Sequence, residues 1–202
     1  MSPPPPSPIT GLVLAGGRGA RMGGVDKGLV PWHGEPLALH ALRRLRPQVR
    51  ALAVNANRHQ DIYGGWDVPV WPDADGAFAG PLAGLLAGLD HCRTDWLATV
   101  PCDSPLFPHD LVARLAAAAA GTGSLLALAA TPGDGQPEVQ PVFLLAHRSL
   151  RDDLYAALAE GERRMRRWAA RHRPALVVFE DAGAFANANT PEDLAALPRP
   201  AA

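Results

Sequence analysis

The chain has 202 residues, the length of one packed domain. Its formal net charge of -1 gives no reason to expect a broad basic surface for nucleic acid or an anionic membrane. Its two cysteines, Cys92 and Cys102, are too few for a disulfide framework and lack zinc-site spacing, so free thiols in a reducing cytoplasm are expected. Residues 1–8 are proline-rich and lack an apolar signal core. We therefore expect a disordered lead-in, followed by one domain over residues 9–202.

Apolar runs alternate with helical patterns along the chain, which predicts an open α/β sheet. Buried strands are predicted over residues 9–14, 51–55, 68–71, 96–100, 124–130, 141–145 and 175–179. Helices are predicted over residues 36–46, 81–89, 108–120, 150–160 and 163–171, with a single helical turn near residues 58–63. Thr190 precedes a proline and two acidic residues, which predicts a capped final helix.

A glycine-rich loop follows the first strand and runs from Leu14 to Lys27. Its five glycines, two arginines and one lysine suit a polyphosphate, which backbone N–H groups and cations can surround. The loop is not a Walker A motif, because Lys27 is followed by Gly28 rather than by Ser or Thr. It is not a dinucleotide fingerprint, because Met22 stands where the third glycine is required. The loop predicts a nucleotide site of another kind.

Polar residues follow three of the predicted strands near their carboxyl ends. They are Asn55, Asp73 and Asp103. Ligands of open α/β sheets bind at this edge of the sheet, beside the loop after the first strand. The sequence therefore predicts that these side chains join the glycine-rich loop in one site.

The string Arg21-Met22-Gly23-Gly24-Val25-Asp26-Lys27-Gly28, preceded by Leu14-Ala15-Gly16-Gly17, resembles the molybdenum cofactor guanylyltransferases, which join GMP to molybdopterin. Shorter echoes follow in the same order at residues 54–58, 80–84, 101–105, 161–164 and 187–191. The resemblance covers nearly the whole chain and is strongest up to about Asp110. It implies a single-domain, three-layer, Rossmann-like nucleotidyltransferase fold with a mostly parallel twisted sheet. The N-terminal half would bind the nucleotide and the C-terminal half the pterin.

Transfer of a nucleotide to a phosphate monoester needs two anions held together and charge neutralised on the leaving pyrophosphate. Arg21 and Lys27 are the candidates for this charge neutralisation. Asp103 is the candidate Mg²⁺ ligand, and the family resemblance gives the matching Asp this role together with GTP binding. Asp26 either caps nearby N–H groups or orients Lys27. The histidines, including His59, lie in no ligand spacing and are expected at the surface or in helices.

The resemblance also implies which residues contact each substrate. Contacts to GTP are implied for Leu14, Ala15, Gly16, Lys27, Asn55, Asp73 and Asp103, with Gly17 and Gly24 giving backbone access to the triphosphate. For the pterin, the candidates are Arg163 and Arg164 in a basic cluster, and the amides of Asn187 and Asn189. The alternatives are a solvated helix face for the arginines and turn-forming roles for the asparagines.

The resulting hypothesis is an Mg²⁺-dependent enzyme that transfers GMP from GTP to molybdenum-bearing molybdopterin. Its rivals are a cytidylyltransferase acting on the same pterin, a sugar-1-phosphate nucleotidyltransferase, and a noncatalytic carrier of GTP or of the molybdenum cofactor. The family also implies transient contacts with molybdoenzymes and cofactor-assembly proteins, and we expect a monomer.

Overall fold

The computed structural model describes residues 8–15, 25–74 and 80–198. Its centre is a six-stranded sheet in the order β4-β1-β5-β7-β6-β8, accompanied by a small two-stranded hairpin, β2-β3. The strands are β1 (Ile9–Leu14), β2 (Pro31–Trp32), β3 (Glu35–Pro36), β4 (Ala51–Asn55), β5 (Trp96–Pro101), β6 (Leu126–Thr131), β7 (Glu138–His147) and β8 (Ala175–Val178). The helices are α1 (Leu37–Leu45), α2 (Gln60–Gly64), α3 (Pro81–His91), α4 (Leu111–Thr122), α5 (Arg151–Ala159), α6 (Met165–Ala170) and α7 (Pro191–Ala196).

The first half of the sheet is parallel. Strand β1 lies between β4 and β5 and pairs with both in the same direction, so that Leu14 is level with Asn55 on one side and Pro101 on the other. All six residues of β1 are buried, as expected for a parallel strand covered on both faces. The carboxyl ends of β1, β4 and β5 therefore meet at one edge of the sheet.

The second half is mixed. Strand β7 runs antiparallel to both β5 and β6, while β8 returns parallel to β6. The pairing of β5 with β7 ends at Thr99 and Leu144, although β5 itself continues to Pro101. The register between β6 and β7 also shifts between Leu128 and Ala129. The two halves therefore separate toward the edge at which β5 ends.

Two apolar cores cover the two faces of the sheet, which gives the predicted three layers. One core joins the sheet to α1 and α4, and the other joins it to α3, α5 and α6. Trp168 of α6 is fully buried in the second core, where its ring nitrogen donates to Asp153 Oδ2 at 2.8 Å. The mostly parallel α/β fold inferred from the sequence is confirmed.

One predicted strand differs from the structure, and one hairpin was not predicted. The strand predicted over residues 68–71 is reduced to one bridge between Val54 and Val70. Pro69 and Pro72 have no N–H to donate to a ladder, and the carbonyl of Trp71 instead accepts from the Asn55 side chain at 2.8 Å. The β2-β3 hairpin was not predicted, because strands of two residues carry no alternation that a sequence pattern can reveal.

The last predicted helix is confirmed together with its start signal. Thr190 Oγ1 accepts from the N–H of Asp193, and the Asp193 carboxylate accepts from the N–H of Thr190, which completes a capping box. Within the described ranges, every helix is too short or too polar to cross a lipid bilayer.

Candidate active site

The backbone after β1 holds together the loops that follow its two neighbouring strands. The N–H of Ala15 donates to the carbonyl of Asn55 at 2.8 Å, and the N–H of Cys102 donates to the carbonyl of Leu14 at 3.1 Å. Strands β4 and β5 are therefore separated at this edge by two strand spacings, about 10 Å. Leu14 and Ala15, two of the predicted contact residues, lie between two clusters of polar side chains.

The first cluster lies after β5 and is centred on Lys27. The Lys27 ammonium donates to Asp103 Oδ2 at 3.0 Å and to Asn189 Oδ1 at 2.5 Å. The side chains of Lys27 and Asp103 are only 17% and 18% exposed, so their ion pair is screened less than a surface pair. Lys27 thus contacts both Asp103, which like Lys27 is predicted to bind GTP, and Asn189, which is predicted to bind the pterin.

The segment carrying Asn187 and Asn189 is fixed to the loop after β5. The N–H of Ala188 donates to the carbonyl of Asp103 at 2.8 Å, and Ser104 Oγ donates to Asn187 Oδ1 at 2.5 Å. The segment follows Phe185, which is buried edge-on against Phe143 of β7 with ring centroids 4.9 Å apart. These contacts bring the C-terminal asparagines to the metal candidate, Asp103.

The second cluster lies after β4 and is centred on Asp73. Asp73 Oδ1 accepts from the Asn55 amide at 2.9 Å, and Oδ2 accepts from the Asn57 amide at 2.8 Å. Asn57 Oδ1 in turn accepts from the Asp73 N–H at 2.8 Å. Asn55 also needs the absence of a side chain at Gly84, where a Cβ would lie 2.4 Å from Asn55 Oδ1. Asn55 and Asp73, predicted as neighbours, are in direct contact.

Asp26 caps the turn that carries Lys27, which confirms one of its two sequence interpretations. Its Oδ1 accepts from the N–H of Gly28 at 3.1 Å, at the start of a short 3-10 turn over Lys27–Leu29. His59 Nδ1 lies 3.0 Å from Asp26 Oδ2. The His59 side chain is half-exposed, as predicted for a surface residue, whereas the Asp26 side chain is buried. Its φ of 49° lies in the left-handed region.

The predicted pterin arginines contact their own segment of the chain. Arg163 Nη1 donates to the carbonyls of Leu158 and Glu162, both at 2.8 Å. The carboxylate of Glu162 accepts from the N–H groups of Arg163 and Arg164, and these bonds lower its pKa. Both arginines are exposed at the start of α6, and their proposed role in pterin binding stays a prediction.

The glycine-rich loop contains four further predicted residues besides Leu14, Ala15 and Lys27. They are Gly16, Gly17, Arg21 and Gly24, which lie outside the described residues. Val25 is the first described residue after them, and it is exposed. The described chain thus resumes directly before Asp26 and Lys27.

The thiol of Cys102 is buried next to Asp103. Burial raises its pKa well above the ordinary value, and the charges of Asp103 and Asp26 raise it further, while Lys27 opposes them. A thiol of this kind carries little thiolate near neutral pH and is a poor nucleophile. Cys102 is thus a small buried residue of the core that lies beside the site.

Sequence reasoning missed three contributors to the site: Asn57, Ser104 and Tyr63. Asn57 lies two residues after Asn55, within residues 54–58, which contributed to the family resemblance. Two asparagines at alternate positions at the end of a strand were the signal that could have identified it. Ser104 follows Asp103 directly, and its partner Asn187 is distant in sequence. Tyr63 contributes through its hydroxyl, which donates to Asp26 Oδ1 at 2.8 Å. The sequence gave no signal for this contact, because an aromatic residue in a short helix is usually a core residue.

Comparison with known proteins identifies the family of this sequence. A family model described as the MobA-like NTP transferase domain matches residues 11–175. The molybdenum cofactor guanylyltransferase of Cupriavidus taiwanensis is 54% identical over 189 residues, which cover 93% of this chain and 95% of that protein. A protein of the same name from Bordetella petrii is 55% identical over 190 residues, covering 94% of this chain and 97% of the relative.

Solved structures show the same fold at much lower identity. Molybdopterin-guanine dinucleotide biosynthesis protein A from Archaeoglobus fulgidus superposes with a TM-score of 0.73 at 22% identity, covering 93% of this chain and 96% of that one. A nucleotidyl transferase from Methanothermobacter superposes with a TM-score of 0.71 at 21% identity, covering 94% and 95%. These likenesses support the fold of the chain, whereas the family is established by the sequence relatives.

Proposed function

The chain belongs to the molybdenum cofactor guanylyltransferases, a family of nucleotidyltransferases, and we propose that it transfers GMP from GTP to molybdenum-bearing molybdopterin at the edge formed by β1, β4 and β5. The observation that carries the proposed site is the contact of Lys27 with both Asp103 and Asn189. In this contact, a cation and a carboxylate that suit a metal–triphosphate meet a segment from the C-terminal half of the chain.

The reaction needs positioning more than acid–base catalysis. A phosphate oxygen of the pterin bonds to the α-phosphorus of GTP, and the bond from that phosphorus to the oxygen bridging the β-phosphate breaks, which releases pyrophosphate. The attacking phosphate monoester has a second pKa of about 6, so it is largely deprotonated near neutral pH. The protein must therefore hold two anions together and neutralise the charge that grows on the leaving group.

Lys27 is suited to this charge neutralisation. Its ammonium is a compact cation on a flexible stem, and its position beside Asp103 is held by the turn that Asp26 caps. In the full sequence Lys27 is the only lysine, whereas the other basic side chains, apart from histidine, are arginines. Arg21 is proposed to add a second cation to the triphosphate.

Asp103 fits the ligand set expected for Mg²⁺. The ion is commonly held by one or two carboxylates together with substrate phosphates and water. In the parts of the chain that the structure describes, no three His, Cys, Asp or Glu side chains form a complete metal-binding group. A single carboxylate with an exposed fraction of 18% matches a metal that arrives with the nucleotide. When bound, Mg²⁺ would neutralise phosphate charge beside Lys27.

Asp73 is proposed to recognise guanine. Each of its carboxylate oxygens accepts one amide hydrogen, from Asn55 or from Asn57, and retains a further acceptor position. Guanine presents two donors, N1–H and the 2-amino group, that a carboxylate can accept. The separation of about 10 Å between β4 and β5 supports this proposal, because the base and the phosphates are the two ends of one nucleotide.

The second substrate is proposed to bind beside Asn187 and Asn189. Their segment contacts the loop after β5, where the two halves of the sheet separate. Asn189 touches Lys27 directly, so the pterin phosphate and the α-phosphate of GTP would approach each other at this ammonium. Arg163 and Arg164 remain candidates for a more distant contact with the pterin.

Calorimetry with GTP, CTP and ATP in the presence of Mg²⁺ tests the proposal. We expect GTP to bind more than tenfold more tightly than CTP or ATP, a difference of about 1.4 kcal/mol or more. The metal dependence of binding should disappear in Asp103→Ala. The matched control is Asp110→Ala, which removes an exposed aspartate at the start of α4 that makes no capping hydrogen bond.

Each unfavourable result has a definite meaning. Tighter binding of CTP would assign the chain to cytidylyl transfer, and binding of GTP without release of pyrophosphate in the presence of the pterin would indicate a carrier. Unchanged metal dependence in Asp103→Ala would remove Asp103 from the metal site.

A further inference from the structure

The proposed reaction leaves one buried carboxylate without a role in substrate binding, that of Asp26. The residue is 5% exposed and accepts three hydrogen bonds. Gly28 N–H and the Tyr63 hydroxyl donate to Oδ1 at 3.1 and 2.8 Å, and His59 Nδ1 donates to Oδ2 at 3.0 Å. Burying a carboxylate is unfavourable unless such donors satisfy it. The structure therefore maintains a costly group next to Lys27.

The surroundings of Asp26 are shaped to admit the Tyr63 hydroxyl. Tyr63 is fully buried, and burial together with the charge of Asp26 raises the pKa of its hydroxyl, so the group stays a donor. A Cβ at position 28 would lie 2.3 Å from the Tyr63 oxygen, so only glycine leaves room for the hydroxyl there. A tyrosine that served only to fill the core would not need the space that Gly28 leaves between its hydroxyl and a buried carboxylate.

The three donors connect two separate parts of the chain. Gly28 belongs to the 3-10 turn that begins with Lys27, whereas His59 and Tyr63 belong to the start and body of α2. The turn is also closed by its own backbone, since the N–H of Leu29 donates to the carbonyl of Asp26 at 3.0 Å. Asp26 thus fixes the backbone from which the Lys27 side chain extends, and Asp103 receives the other end of that side chain.

We infer that Asp26, Tyr63 and His59 are positioning residues of the transfer reaction, which hold the Lys27 turn so that the ammonium is directed at the phosphates of GTP. The inference rests on the proposed function, because that function assigns Lys27 to the phosphates. A lysine has a long flexible stem, so fixing its backbone reduces the freedom that the ammonium loses on binding phosphate. A purely structural network would stabilise the fold without affecting Lys27.

The chemical reactivity of Lys27 gives a direct readout of its position. Because the chain has one lysine, acetylation of a lysine side chain reports on this residue alone, and peptide mass spectrometry separates it from the terminal amine. Tyr63→Phe removes only the hydroxyl and keeps the buried ring. We expect the acetylation rate of Lys27 to rise about threefold or more, because the ammonium spends less time paired with Asp103.

A double-mutant cycle tests whether Tyr63 acts through Lys27. Affinity for a fluorescent GTP derivative is measured in wild type, Tyr63→Phe, Lys27→Met and the double variant. Tyr63→Phe should weaken binding about fivefold in wild type and less than about 1.5-fold when Lys27 is already Met. The matched control is Tyr155→Phe, which alters the other tyrosine, 57% exposed on α5, and should leave Lys27 reactivity and GTP affinity unchanged.

His59 supplies a second pair of variants in case Tyr63→Phe folds poorly. His59→Asn keeps an N–H donor near the Nδ1 position and tolerates the left-handed backbone, whereas His59→Leu removes the donor. We expect the Leu variant to raise Lys27 reactivity and the Asn variant to restore it toward wild type. Strain of the backbone in the Leu variant is followed separately through the melting temperature.

The outcomes separate this inference from the proposed function. An additive effect of Tyr63→Phe in the Lys27→Met background, or an unchanged rate of acetylation, would show that the network only stabilises the fold. Wild-type protein that bound no GTP would instead overturn the proposed function itself.

Discussion

The two halves of the central sheet use their polar residues in different ways. At the end of the parallel half, polar side chains from separate elements bond to one another, as Asp73 does with Asn55 and Asn57. In the mixed half, the predicted arginines bond within their own segment, as Arg163 does with the carbonyls of Leu158 and Glu162. Among the residues predicted to bind the pterin, the asparagines after β8 differ from the arginines, because they contact the first half of the sheet through Lys27 and Ser104.

This difference shows what makes a prediction of a site residue reliable. Strand ends converge because a parallel sheet forces them together, so Asn55 and Asp103 reach one edge from distant positions in sequence. A cluster of arginines has no such constraint, and a nearby carboxylate, Glu162, accepts from the backbone N–H groups of Arg163 and Arg164. The contrast can be tested by substitutions on each side.

The largest effect is expected for Lys27, where the two halves meet. Lys27→Met should lower the rate of pyrophosphate release about 100- to 1,000-fold, the usual cost of removing a group that stabilises charge in the transition state. Lys27→Arg should recover only part of this loss, because a planar guanidinium cannot reproduce the contacts of a compact ammonium with Asp103 and Asn189. Pyrophosphate release in single turnovers measures both variants.

Arg148 provides the control for Lys27. It is exposed, contacts Asp95 at 3.8 Å, and follows β7 at the opposite end of the sheet. Arg148→Met should leave the rate unchanged within about twofold. Equal losses in the Lys27 and Arg148 variants would indicate that overall charge, rather than position at the edge, governs the reaction.

A smaller and more selective effect is expected for Asp73. Asp73→Asn replaces an acceptor oxygen with a donor that faces the amides of Asn55 or Asn57, or the donors of guanine. GTP affinity should fall about tenfold, while inosine triphosphate, which lacks the 2-amino group, should lose less. Competition calorimetry with the two nucleotides gives the ratio. Asp67→Asn is the control, because Asp67 is exposed and its φ of 55° is tolerated by asparagine.

The smallest effect is expected for Cys102, in spite of its position beside Asp103. Cys102→Ala should keep the rate of transfer within about twofold, because burial raises the pKa of the thiol and leaves it protonated near neutral pH. Alkylation of this thiol in the folded protein should be slow at neutral pH and become faster as the pH rises toward the raised pKa. Rapid labelling at neutral pH, or loss of transfer in the alanine variant, would contradict this environment.

The fold was predictable where periodicity and capping signals were strong. The strand at Ile9–Leu14 and the Thr190 cap were both found from their residues alone. The strand predicted over residues 68–71 was wrong, because two prolines cannot support a ladder. The antiparallel direction of β7 could not be predicted, because the residue pattern of a buried strand is the same for parallel and antiparallel pairing.

The site was predictable to the extent that it depends on strand ends. Lys27, Asp73 and Asp103 were identified from the sequence, and the structure brings each into a polar cluster. The pairing of Ser104 with Asn187 and that of Tyr63 with Asp26 were not identified, because they span 83 and 37 positions in sequence. Pairing at such separations depends on tertiary structure, which a local pattern does not encode.

The Lys27–Asn189 contact, which spans 162 positions, bears on the order in which a newly synthesised chain becomes competent. The last strand of the sheet ends at Val178, so all six strands have been synthesised before Asn189 exists. Synthesis of the strands therefore precedes synthesis of this partner of Lys27. A chain that ended between these two residues would contain all six strands of the sheet, and its Lys27 ammonium would lack the contact with Asn189.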